Sequence, residues 1–343
     1  MNIEQLKAIH FRATIKPFGV LVAGLLMFNS LMLAASEDLP SLDNTVTKSV
    51  SLLWIAPYQK PERAPIYQAF KSILNSDSQL ALNFEIRYQP FVIGQDLSSQ
   101  LNSSYDFIIT AGDHAWLSLK DTSVSAKKIG LMLSEPLFRE LTIQNPEQVY
   151  AISSQQPAQR FFALIQAMNF YQTQTASFFT KQQIEQKLLF ENTARTFDVP
   201  FMAMEHSSKT SILEASNSID ACCRVLLVKS QDFGASLAKQ KALMMNSYKN
   251  KIIVIGDSRT LLKQGAMVVL FSQPHQIGQQ AAEMVRDILT KKNLKPFQEP
   301  NNFMIDSNNY ISQLMGYDKE SVGSLTRKTK LIENIYSTKD QDL

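Results

Sequence analysis

The stretch 265-GAMVVLFSQPHQIGQQAAEMVRDILTKKN-293 decides the fold. Met267 to Phe271 is a short apolar run that reads as a strand. Ser272-Gln273-Pro274-His275 is a polar loop. From Ile277 onward, apolar residues recur at Ala281, Met284, Val285, Ile288 and Leu289, the spacing of one helical face. Lys291 and Lys292 suit the negative end of that helix. A strand, a loop and a helix in that order make half of a βαβ unit.

The same rhythm runs outward in both directions. Upstream, Val50 to Ala56, Leu82 to Tyr88, Asp106 to Thr110 and Lys128 to Leu133 read as strands. A helix at Ile66 to Leu74 and another after Asp113 fall between them. Val149 to Ser154 reads as a crossing point into a second set. There, strands at Ala176–Phe179, Pro200–Met204, Arg224–Val228 and Lys251–Ile255 alternate with helical patterns at Ala158–Met168, Gln183–Phe197, Ser211–Ile219 and Phe233–Met245. This alternation predicts an α/β protein with parallel sheets covered by helices on both faces. Downstream, Phe303–Asp306 reads as a closing strand and Tyr310–Leu314 as a short apolar segment. Lys319 to Leu343 is polar and highly charged. It is expected to be a solvated or loosely helical tail, with a partner-binding extension as the sharper alternative.

The N-terminus has a different texture. Lys7, Arg12 and Lys16 precede a mostly apolar run from Gly19 to Ala35, which ends in Leu33-Ala34-Ala35-Ser36. This is the pattern of a secretory signal peptide over residues 1–35, with an uncleaved membrane anchor as the alternative. No cysteine stands at the cleavage site for a lipid anchor. The chain has 343 residues and a net charge of +3. Removing residues 1–35 takes away three basic groups and Glu4, which leaves +1. That balance argues against nucleic acid as a partner. The two cysteines are adjacent, Cys222-Cys223. Reduced or buried thiols beside the strand at Val225–Val228 are the favoured reading, and a vicinal disulfide is the alternative. Neighbouring thiols alone do not complete a metal site.

Gly278, Ala281 and Ala282, set after the apolar strand, resemble the late signature of ABC-transporter substrate-binding proteins. Ile219-Asp220-Ala221 leading to Val228-Lys229-Ser230-Gln231-Asp232 resembles a second segment of that family. The resemblance covers roughly residues 49 to 317. It implies the class I periplasmic-binding-protein fold: two doubly wound parallel-sheet lobes joined by a multi-strand hinge. It implies that Met267–Phe271 and the following helix return the chain to the first lobe. Lobe 1 is then 47–150 plus 267–295, and lobe 2 is 151–266 plus 300–318, with 319–343 as the polar tail. It also sets Asp220 and Asp232 beside the ligand cleft. Two features depart from the family: only 11 glycines, and Ala56-Pro57-Tyr58 in place of the usual turn after the first strand.

Chemical motifs point away from an enzyme. Gly256-Asp257-Ser258 is too short for a phosphate loop, and no nucleophile elbow occurs. His10, His114, His206 and His275 show no metal-ligand spacing. His114 and His206 follow strand ends, where loop packing or ligand contact outranks catalysis. No cofactor is expected. In parallel sheets, ligands sit beyond the carboxyl ends of the strands. The candidate ligand-binding residues are therefore Tyr58, Thr110, Asp113, Ser134, Glu135, Ser153 and Ser154 from lobe 1 and the crossing. Glu205, Asp232, Asp257 and Gln273 come from lobe 2 and the return loop. Hydroxyls and amides suit ligand carboxylates or hydroxyls, and carboxylates suit an ammonium. Thr180 occupies an equivalent strand end in lobe 2, and Trp116 is expected to pack. These readings favour a periplasmic binding protein that captures a small polar, amino-acid-like ligand and presents it to an inner-membrane ABC permease. The alternative is a ligand-sensing partner of a membrane kinase or cyclase. An enzyme or a structural envelope protein ranks third.

Overall fold

The computed structural model describes residues 49–57, 64–76, 82–95, 97, 101, 105–119, 122, 124–142, 146–206, 219, 223–233, 236–317 and 320–339. The signal-peptide expectation, Tyr58, Asp220, Cys222 and nearly all of the helix expected at Ser211–Ile219 lie outside them. Among the described residues, no helix is long and apolar enough to cross a membrane.

Two six-stranded sheets carry the fold. The first contains β1 (Ser49–Ala56), β2 (Asn83–Pro90), β3 (Phe107–Ala111), β4 (Lys127–Leu133), β5 (Val149–Ser153) and β11 (Phe297–Gln298). Their order is β11-β5-β4-β3-β1-β2 and every pairing is parallel. Strand β1, SVSLLWIA, is buried on both faces, as a central parallel strand must be. Leu52, Trp54 and Ala56 pack in one core, with α1 (Pro65–Ser76) and α8 (Pro274–Leu289). Leu53 and Ile55 pack in another, with Trp116 of α2 (Asp113–Leu117) and with Phe138 of α3 (Glu135–Thr142).

The second sheet contains β6 (Thr175–Phe179), β7 (Phe201–Glu205), β8 (Val225–Val228), β9 (Ile253–Gly256), β10 (Val268–Phe271) and β12 (Met304–Ser307), in the order β12-β10-β9-β8-β6-β7. Only β12 runs antiparallel. Helices α4 (Ala158–Ala167) and α5 (Ile184–Thr196) close one face around Phe162, Phe179 and Phe190. Helices α6 (Leu237–Lys249) and α7 (Arg259–Gln264) cover the other around Leu243, Leu261 and Phe178.

The chain crosses between the sheets three times, after β5, after β10 and between β11 and β12. This corrects the expected bounds. The strand at Met267–Phe271 stays in the second sheet, parallel to β9 and capped by antiparallel β12. The crossing comes one element later, at Ser272-Gln273, and it is α8, followed by β11, that returns to the first lobe. An apolar strand pattern does not say which sheet edge it joins, and β9 offers its free edge directly to β10. The crossings are tied together. Gln156 Nε2 donates to Ser272 Oγ at 2.8 Å, and Ser272 Oγ donates to Asn302 O.

The charged tail is also corrected. Asn309–Leu314 forms the short helix α9, and Val322–Lys339 forms an 18-residue helix, α10, that packs on α4. Val322, Leu325, Thr329, Ile332 and Tyr336 recur every three or four residues. Leu325 and Thr329 are buried, and Tyr336 stacks on Phe197 with ring centres 4.0 Å apart. A narrow stripe suffices here because the other face stays in water. Cys223 is buried beside its strand, as the favoured reading has it, but it is disulfide-bonded rather than reduced.

Candidate functional site

The carboxyl ends of β3 and β4 build the wall of the first lobe. Gly112 holds a positive φ of 88° that turns the chain into α2. Asp113 follows it, and its carboxylate accepts from Ser134 N at 3.1 Å and from Ser134 Oγ at 3.4 Å. Glu135 then opens α3. Its carboxylate lies 2.7 Å from Arg139, whose guanidinium also lies 2.6 Å from Glu185 of α5. This exposed pair links the first lobe to the second. Asp113, Ser134, Glu135, Gln182, Glu185 and Gln231 line a cavity of about 510 Å³.

A second cavity of about 360 Å³ lies at the centre. The crossing residues Ser153, Ser154, Gln155 and Gln156 line one side. Ser230, Asp257, Ser258 and Arg259 of the second lobe line another, with Gln273 and Pro274 of the return loop. Gln155 and Gln231 belong to both cavities, and their side chains are hydrogen-bonded to each other. Gln186 donates to Gln155 in turn.

Asp257 is half-buried and accepts from Ser230 N at 2.9 Å and from Ser230 Oγ. Burial pushes its carboxyl pKa up, and the Ser230 bonds oppose that. Its role in the wall is to fix Ser230, whose hydroxyl also lies 2.6 Å from Ser258 Oγ.

Beneath this wall lies a buried lysine. Lys229 is 4% exposed; its ammonium donates to Phe178 O at 2.9 Å and sits 3.9 Å from the Phe179 ring centre. Asp232 lies beside it at 3.8 Å, too far for a hydrogen bond, with its side chain 1% exposed. Burial pushes the Asp232 carboxyl up to about 7, despite the pull of Lys229. Burial likewise lowers Lys229. Folded Asp232 thus keeps its proton from about pH 4, where an unfolded Asp releases it, up to about pH 7. The folded state binds more protons in that window, so this group makes stability fall as pH rises through it. Asp232→Asn is expected to flatten that fall. Urea midpoints measured from pH 4 to pH 7 check this, and equal slopes in the two proteins contradict it.

Of the residues expected from sequence, Asp113, Ser134 and Glu135 line the larger cavity, and Ser153, Ser154, Asp257 and Gln273 line the central one. Thr110 is fully buried and lines neither. Its hydroxyl has no hydrogen-bond partner among the described residues. Glu205 ends the edge strand β7 and pairs with Lys187 at 3.2 Å, outside both cavities. Asp232 is held beneath the wall, and its neighbours Ser230 and Gln231 face the cleft instead. Thr180 is spent in a capping box with Gln183. Trp116 is fully buried and donates to Leu137 O at 3.2 Å. His206 lines neither cavity; burial lowers its pKa, with Lys229 adding to the effect.

Sequence reasoning missed Met132, Arg139, Gln155 and Arg259. Arg259 carried a signal, since a cation at the first position of a helix opposes the helix dipole. Met132 carried none, because it sits inside the apolar run Ile129–Leu133.

No protein-family model matches the sequence, and no curated protein matches it. Solved structures do. A ligand-free, open substrate binding protein with adhesive properties from Clostridium difficile aligns over 80% of this chain and 97% of its own. The TM-score is 0.59 and the identity 14%. A conserved domain protein from Vibrio cholerae aligns over 82% and 98%, at TM-score 0.54 and 15% identity. The chain has the class I periplasmic-binding-protein fold. A domain from Streptococcus pneumonia in complex with L-Trp gives TM-score 0.51 and 12% identity over 82% of this chain and 98% of its own. In this fold the two lobes are the sheets described above, and the three crossings are the hinge.

Proposed function

We propose that this chain is a solute-binding protein rather than an enzyme. It captures a small amino-acid-like molecule in the cleft and presents it to a membrane permease after export to the periplasm. The observation that carries this reading is the central cavity, bounded by both lobes and all three crossings. Its groups have the complementary chemistry. Arg259 offers a cation, Ser154 and Ser258 offer hydroxyls, and Gln155 and Gln273 offer amides that both donate and accept. Glu135 and Glu185, lining the adjoining cavity, suit an ammonium. The pneumococcal neighbour, bound to L-Trp, supports the amino-acid class. A fold alone does not fix a function, so the test is direct capture. One small molecule should bind per chain, and filling the cavity by Ser154→Trp should abolish it.

A further inference from the structure

Met132 stands out in the wall of the first lobe. The β4–β5 register shifts between Leu131 and Leu133, so Met132 is the extra residue of a bulge. Its φ is 56°, in the left-handed region that glycine and asparagine occupy with less strain. Leu131 and Leu133 are fully buried and belong to different cores, on opposite faces of the sheet. Met132 between them is 42% exposed and lines the central cavity. The chain therefore holds a strained backbone in order to display a thioether into the cleft. Phe271, Pro274, Ile277 and Pro300 continue the apolar surface around that cavity. Arg259 supplies the charge. Its guanidinium is 5.0 Å from the Phe271 ring centre and only 3.9 Å from the exposed Asp306, and its side chain is 59% exposed.

We propose that Met132 is a specificity-determining residue that selects ligands bearing an apolar side group, while Arg259 holds their carboxylate. This rests on the solute-binding reading above. An unbranched thioether with three rotatable bonds adapts to several apolar shapes. The ligand class is then apolar amino acids rather than sugars, which carry neither a carboxylate for Arg259 nor an apolar side group for Met132.

The experiment is calorimetry with the twenty proteinogenic L-amino acids and with D-glucose, D-galactose and D-ribose. The wild type is expected to bind one or more apolar amino acids. Met132→Gly relieves the backbone and should keep or raise Tm, yet weaken binding at least tenfold. Met132→Leu should stay within threefold, and Arg259→Gln should lose tenfold or more. A purely structural Met132 would instead lower Tm and leave affinity unchanged. Binding of sugars alone, or unchanged affinity in Met132→Gly, overturns the inference and leaves solute binding standing. A wild type that binds none of these probes also overturns it. Native mass spectrometry of the protein as purified then decides the broader reading separately.

Discussion

Replacing Gly278 with alanine is expected to destabilise the protein by about 2–3 kcal/mol. A Cβ built at Gly278 lies 2.2 Å from Ile66 O and 3.2 Å from Ala69 Cβ. Ile66 O is backbone in the first turn of α1 and has no rotamer to swing away. Helices α1 and α8 would have to separate, opening the core of Trp54, Phe70, Ala281 and Val285. Alanine gains about 1 kcal/mol over glycine in a helix interior, which does not offset an overlap of this depth. Gly323 provides the control. A Cβ there meets only the far end of Arg327, at 3.9 Å. Gly323→Ala should therefore stabilise, by up to about 1 kcal/mol. Urea unfolding of both variants reads the opposite signs. A Gly278→Ala midpoint at or above the wild type would show that the two helices are not packed this closely.

Arg160→Ala is expected to cost about 3–5 kcal/mol, the range for removing one partner of a buried ion pair. Arg160 is 5% exposed and joins three parts of the chain. Its guanidinium donates to Glu333 of α10 at 3.0 Å, to Gln156 Oε1 at 2.6 Å and to Pro300 O at 2.9 Å. It also lies 4.5 Å from the Phe303 ring centre. Its loss takes a donor from two of the three crossings and from the C-terminal helix together. Glu299 is already pushed up by burial, and Arg160 is the main charge that holds it down. A loss below about 1 kcal/mol in equilibrium unfolding would mean that water replaces these bonds.

Most of the fold was legible because βαβ alternation is a local signal. β1, β3, β4, β6 and β8 each fall within a residue or two of the apolar runs that predict them. What failed was long-range. The run Met267–Phe271 looks the same whichever sheet it joins, and only its pairing with Ile255 and Ile305 decides. The stripe Leu325–Thr329–Ile332–Tyr336 was hidden by the charge around it. For the candidate site, the carboxyl-end rule led to residues that line the two cavities, Ser134, Glu135, Ser154 and Asp257, since it depends only on strand direction. It failed at Asp232, because the rule cannot tell a side chain facing the cleft from one facing Lys229 behind it. It failed at Thr110, which is still inside strand β3 and inside the core. Met132 was out of reach, because a bulge is a property of two strands and not of one.

The claim that this chain holds a small solute between its lobes is tested most directly by native mass spectrometry. The wild type and Ser154→Trp are compared as purified and after adding the amino-acid panel. The account predicts a wild-type mass exceeding the chain by one small molecule, lost on denaturation. It predicts the bare chain mass for Ser154→Trp under every condition. A wild type at the bare mass throughout, or a Ser154→Trp variant that carries the same adduct, would contradict it.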